Sequence, residues 1–206
     1  MLYDYVIKNY HSGEPIFEAD IEIEGMSEQR KREQLERLVA YRRLSKFMNG
    51  IYYIPENLNL ADERGISSDV VARNLYILRR GRRIGYFGGH TLANLMGLST
   101  QIPVKEEYVS NAVEVKEKEV LLGTRTYIVR RPPVEVTEDN YRVLQLLEIL
   151  QNLERYADDL RAAEFPLTYY IKRNHVSKRN VREYLEYFPV QADEYIHEMG
   201  LDNVFA

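Results

Sequence analysis

Between Arg30 and Lys46 stand seven cations (Arg30, Lys31, Arg32, Arg37, Arg42, Arg43 and Lys46) against two acids, Glu33 and Glu36. Such side chains serve nucleic acid in two ways: Arg and Gln make paired hydrogen bonds to guanine and adenine edges, while Arg and Lys neutralise phosphates. Gln29 and Arg30 suit the first use; Arg37, Arg42, Arg43 and Lys46 suit the second. If Leu35, Leu38 and Val39 face inward, a helical step of about 100° turns Gln29, Arg30, Glu33 and Arg37 outward, with Lys31 and Arg32 on the flanks. Those outward residues would face DNA.

Two more stretches are basic. Arg73, Arg79, Arg80, Arg82 and Arg83 fall in a run, 70–105, that contains no Asp or Glu. Lys172, Arg173, His175, Lys178, Arg179 and Arg182 lie between Glu164 and Glu183 with no acid among them. Such asymmetry calls for an anion, whether nucleic acid, an acidic protein surface or acids of the chain itself. The last of these, or plain surface use, is the reading preferred for both stretches. Were the helices to fold against one another, the two stretches would form a binding face rather than a catalytic cleft.

Other chemistries find little support. The absence of cysteine removes disulfides, thiolate metal sites and cysteine nucleophiles together, and suits a reducing, cytoplasmic compartment. Histidines 11, 90, 175 and 197 are never four apart and have no acidic cluster beside them, so no metal is expected. Gly88-Gly89-His90-Thr91 could cradle a phosphate ahead of a helix. No GxGxxG or GxxxxGK[ST] accompanies it, and Thr91 reads better as a helix cap. No cofactor is expected. GxSxG is missing, and the acid pairs Asp158-Asp159 and Glu117/Glu119 read as solvated rather than catalytic. The chain is therefore not read as an enzyme.

These residues need positioning elements. Leu2, Tyr5 and Val6 share a face, predicting a helix over residues 2–10 that Gly13 and Pro15 stop. Residues 16–23 alternate apolar and acidic, and their type stays open. Ser27 caps a helix over 28–41. Two alternating runs then meet at Asn49-Gly50, the strongest short hairpin signal. Asn49, at its tip, could approach a minor groove or backbone, although any tight turn favours that pair. Residues 56–66 are polar and aperiodic, marking a boundary. Beyond it come a helix over 67–80, a short helix over 90–96 ended by Gly97, and three strand candidates, EEYVSNAV, KEVLL and RTYIVRR. From Thr137 onward the chain is helical.

The expectation is α+β: a winged helix-turn-helix over 1–56, then a larger α+β domain over 66–206 with a small antiparallel sheet and a helical C-terminal part. A net charge of −4, from 28 Lys and Arg against 32 Asp and Glu, makes any nucleic-acid surface a local one. The longest uncharged run, 84–104, holds four glycines and a proline, a poor membrane span, and no membrane partner is expected.

Two segments resemble antitoxins of the AbiE abortive-infection type, which belong to type IV toxin–antitoxin systems. PIFEADIEIEGMSEQRKREQLERLVAYRRLSKFMNGIYYIP is similar to that family's opening winged module, and GGHTLANLMGLSTQIPVKEEYVSNA to its central signature. With the helical tail carrying YFP and EMGL, the resemblance spans nearly the whole chain. It implies an antitoxin and autorepressor. The first domain would bind repeated sites in its own double-stranded promoter DNA, with self-association on them. The second would antagonise a cognate nucleotidyltransferase-like toxin, with or without stable contact. The DNA-binding set would be Ser27, Gln29, Arg30, Lys31, Arg32, Arg37, Arg42, Arg43, Lys46 and Asn49. Glu14, Glu18, Asp20, Glu22 and Glu24 precede this set, so its cations must outweigh them.

Two other readings compete. One is a stand-alone winged-helix regulator whose second domain senses a ligand or protein. The other is an enzyme acting on nucleic acid, weakened because the cation-rich run 70–105 holds no carboxylate for a divalent metal.

Overall fold

Leu2 and Val6, one helical turn apart, are both buried on helix α1 (Leu2–Asn9), as their spacing predicts. The computed structural model, which describes residues 2–56 and 65–206, continues from α1 into strand β1 (Pro15–Phe17) and a single 3-10 turn, Glu18–Asp20. The stretch left open by its alternation is thus part strand, part turn. Helix α2 (Glu28–Ala40) begins where Ser27 Oγ accepts the Arg30 N–H at 3.3 Å, supplying one of the partners a helix start lacks. It ends at a reversal in which the Arg43 N–H reaches the Leu38 carbonyl and the Arg42 N–H reaches that of Val39.

Strands β2 (Ser45–Met48) and β3 (Ile51–Tyr53) form the expected hairpin. Gly50 has a φ of +77°, while Asn49 is not among the residues with positive φ, and the register slips between Lys46 and Met48. A bulge thus does part of the turning. β3 sits centrally, antiparallel to both neighbours in the order β1-β3-β2, and all three of its residues are buried. Leu2, Val6, Ile16, Ile21, Leu35, Leu44 and Tyr52 close one apolar core.

Helix α3 (Ser68–Tyr76) is shorter than the predicted 67–80. The reason lies at Arg80 and Gly81, whose φ values of 50° and 72° reverse the chain and pair β4 (Leu78–Arg79) with β5 (Arg82–Arg83). The apolar spacing that suggested a longer helix belongs in part to a tight hairpin. The chain divides into two compact units, Met1–Asn74 with Leu122–Thr124, and Leu75–Leu121 with Arg125–Ala206. The division thus falls after the predicted 56–66 boundary, much of which lies outside the described residues.

The second unit holds a four-stranded sheet in the order β6-β7-β9-β8, from β6 (Gly85–Phe87), β7 (Glu107–Ser110), β8 (Glu117–Leu122) and β9 (Arg125–Arg130). β6–β7 is antiparallel, as expected for this sheet, but β7–β9 is parallel, so the sheet is mixed. β6 falls inside the uncharged run 84–104, where the sequence predicts no strand. A Cβ at Gly85 would strike the carbonyls of Tyr76 and Val109, so only glycine lets the backbones approach this closely.

Helix α4 (Gly89–Met96) ends at Gly97 in the left-handed region, as predicted. Helices α5 (Tyr141–Leu150), α6 (Leu153–Tyr156), α7 (Glu164–Arg173), α8 (Lys178–Leu185) and α9 (Gln191–Glu198) complete the unit. α5 packs against β6, α4, α6, α8 and α9, and buries Val143, Leu144, Leu146, Leu147, Ile149 and Leu150. At roughly 2 kcal/mol per fully buried aliphatic side chain, this helix organises the larger core. The fold is α+β. No helix of the described residues is long and apolar enough to cross a membrane.

Candidate nucleic-acid interface

Helix α2 buries Leu35 and turns Gln29, Arg30, Glu33 and Arg37 to solvent, as its periodicity predicts. Gln29 Nε2 donates to Glu33 Oε1 at 3.1 Å, which holds the amide on that outer surface. Arg32 is exposed, and its Nε lies 3.3 Å from Glu18 Oε1. Arg42, Arg43, Lys46 and Asn49 are exposed as well, beyond the helix end and along the hairpin. The Arg43 guanidinium stands 5.7 Å from the centre of the Tyr3 ring. Ser27 serves the helix itself through its cap.

Lys31 corrects the expected set. It is buried, with Nζ donating to the Ile21 carbonyl at 3.1 Å and to Glu28 Oε1 at 2.8 Å. Position 31 lies four residues before Leu35 and seven before Leu38, which puts it on the inward stripe rather than on a flank. Its charge holds the turn before α2 against the helix and is not offered to a partner.

The Gly88-Gly89-His90-Thr91 segment is already supplied with anions. Glu148 Oε1 accepts from the Gly89 N–H at 3.3 Å, and Glu107 Oε1 accepts from the His90 N–H at 3.0 Å. The amides that might have cradled a phosphate are therefore bound by two internal carboxylates. Thr91 does not cap the helix; its hydroxyl accepts the Glu107 N–H at 2.9 Å. Arg130 Nη2 contacts Glu148 Oε1 and lies 3.6 Å from Glu107 Oε2. Burial lowers the Arg130 pKa, but the adjacent Glu148 and Glu107 charges raise it further, and the guanidinium stays charged. Sequence reading missed Glu148. The signal was available: a lone acid amid the apolar run of α5 needs a cation if it is to be buried.

The acid pairs have structural partners too. Asp158 accepts from Ser99 Oγ at 2.7 Å, from the Thr100 N–H at 2.6 Å and from Thr100 Oγ1 at 2.8 Å. Those bonds, the Thr100 N–H first, hold its carboxyl below the ordinary carboxylate range. Asp159 accepts from the Arg161 N–H, and Glu119 binds Lys105. Among the described residues no group of three or more His, Asp or Glu side chains could hold a metal ion.

The other basic stretches are divided in their use. Arg83 is spent internally, its Nε 3.0 Å from Glu138 Oε2 and its guanidinium 3.9 Å above the Tyr141 ring. Arg73 belongs to the first unit and Arg79, Arg80, Arg82 and Arg83 to the second, so the stretch is not one element. Lys178 pairs with Asp202 at 2.8 Å, while Lys172, Arg173, Arg179 and Arg182 are exposed. The Arg173 guanidinium lies 5.9 Å from the Tyr169 ring centre.

No curated protein matches the chain. A family model described as a family of unknown function (DUF6088) matches residues 3–154. That span takes in α2, the hairpin, the mixed sheet and the Glu148–Arg130 pair, most of the chain, and the protein belongs to the DUF6088 family.

Proposed function

We propose that the protein is an antitoxin and autorepressor whose first unit is a winged helix-turn-helix bound to promoter DNA. In this reading α2 enters the major groove, β2–β3 is the wing, and the 3-10 turn and following residues stand in for the short helix before the groove helix. The observation that carries it is the outer face of α2: Gln29, Arg30 and Arg37 are exposed together, with Arg42, Arg43, Lys46 and Asn49 following at its end. Arg30 and Gln29 read bases, and Arg37, Arg42, Arg43 and Lys46 hold phosphates. The role of the second unit, antagonism of a nucleotidyltransferase-like toxin, follows from the resemblance to AbiE-type antitoxins.

The test is a titration of the full chain against duplex from its own upstream region and against scrambled duplex, at several salt concentrations. Arg30→Ala with Arg37→Ala should weaken binding to the promoter through the lost base contact of Arg30 and flatten the salt dependence by about 0.9 in log–log slope through the lost phosphate contact of Arg37. An unchanged slope overturns the groove assignment. Co-expression with a nucleotidyltransferase-like gene from the adjoining reading frame tests the second half. Growth restored by this chain supports antagonism, and growth that stays arrested refutes it.

A further inference from the structure

An open cleft of about 820 Å³ lies within the second unit, of a size that suits small organic ligands. Its lining is chemically divided. It is lined by the cations Arg130, Arg155, Lys116 and Lys105, by the carboxylates Glu107 and Glu117, and by the apolar Ile102, Pro103 and Val104. Ile102 is 86% exposed and Val104 95%, so apolar surface stands open beside fixed positive charge.

The charge is prearranged. Arg130 is anchored from behind by the buried Glu148 and steadied by Glu107, whose oxygens are held by the His90 N–H and by Arg130 itself. Arg130 Nε lies 4.0 Å from Glu117, which is 59% exposed, a loose contact that a stronger anion can displace. Arg155 and Lys116 are exposed, and His90 is seated edge-on against Tyr156 at 5.0 Å between ring centres. A guanidinium already fixed by carboxylates, one of them buried, offers its remaining edge to phosphate without first being ordered.

We propose that this cleft binds a nucleotide, its phosphates on Arg130, Arg155 and Lys116 and its base against Ile102, Pro103 and Val104. A bare anion would leave the apolar residues unused, and an uncharged base would leave Lys116, Arg155 and the loosely held Nε edge of Arg130 unused. A nucleotide uses both. The inference does not rest on the DNA-binding reading, because every residue in it belongs to the second unit.

Thermal shift and calorimetric titration of the full chain with millimolar ATP, GTP, CTP and UTP test it, with inorganic triphosphate and adenosine as the two half-ligands. At least one nucleotide should raise the melting temperature by several degrees and bind more tightly than either half-ligand. Lys116→Ala with Arg155→Ala, both at exposed positions, should weaken that binding tenfold or more while leaving the unliganded melting temperature within a degree or two. Arg30→Ala with Arg37→Ala should leave nucleotide binding unchanged, which separates this site from the α2 face. The proposal is overturned if no nucleotide shifts the melt, if triphosphate alone matches the best nucleotide, if the cleft variant binds as well as the parent, or if the α2 variant abolishes the effect.

Discussion

At the scale of single residues, the second unit contrasts polar groups that are satisfied with one that is not. The hydroxyl of Tyr86 is fully buried and has no hydrogen-bond partner among the described residues. Burial, then the neighbouring Glu148 charge, pushes its pKa well up, so it remains a neutral phenol at every ordinary pH. An unsatisfied buried hydroxyl costs about 1–3 kcal/mol, so Tyr86→Phe should stabilise the protein by roughly 1 kcal/mol, read as a higher urea midpoint with unchanged slope. A lower midpoint would show that the hydroxyl has a partner after all. Asp158 is the opposite case. Its folded pKa is depressed by the Thr100 and Ser99 bonds, so its contribution is present above the unfolded value of about 3.9 and is lost as pH falls through the lower folded value. Asp158→Asn should therefore be less stable than the parent near neutral pH, and the gap should narrow towards about pH 3. A gap that is independent of pH would refute the ionic part of this role.

Elements show how the same backbone device is reached with different residues. α4 closes on Gly97, with the Leu98 N–H on the Ala93 carbonyl and the Gly97 N–H on that of Asn94. α2 closes with the same bond pattern on Arg42, which takes a φ of 55° although its Cβ disfavours it. Arg42→Gly should raise stability by up to about 1 kcal/mol, the relief of the left-handed residue less the extra freedom of glycine in the unfolded chain. If Arg42 also holds a phosphate, the same substitution should weaken DNA binding and reduce the salt slope by about 0.9. Greater stability with unchanged affinity would remove Arg42 from the interface. Helix α2, the Asn49-Gly50 hairpin and α4 were legible because each carries its signals within a few residues: Ser27, Asn-Gly, Gly97. Helix α3 was overextended because Leu75, Ile77 and Leu78 fit a helical face locally, and only the reversal at Arg80-Gly81 reveals the second hairpin.

On the scale of the whole molecule, the two units have separate apolar cores, one closed by Leu35 and Tyr52, the other built around α5. A chain beginning at residue 66 should therefore retain the helical circular dichroism and the cooperative melt of the second unit, while losing DNA binding. Under the antitoxin reading it should also keep part of its toxin-antagonising activity. A remainder without a cooperative melt would show that the larger core depends on the first 65 residues. The polar boundary near 56–66 was visible as a change of composition, but the division after Asn74 depends on which residues pack together.

What the amino-acid order determined by itself was local: periodicity chose the inward residues of α2, a serine and a glycine marked helix ends, and Asn-Gly marked a reversal. Each works through neighbours a few bonds away, so no long-range contact is needed to read it. Tertiary structure decided which charges are spent. Lys31 fell to a backbone carbonyl ten residues earlier, Arg83 to Glu138, and the Gly89 and His90 amides to Glu148 and Glu107 from distant elements. A charge is free or consumed only relative to what lies a few ångströms away, and that proximity is set by packing rather than by spacing along the chain.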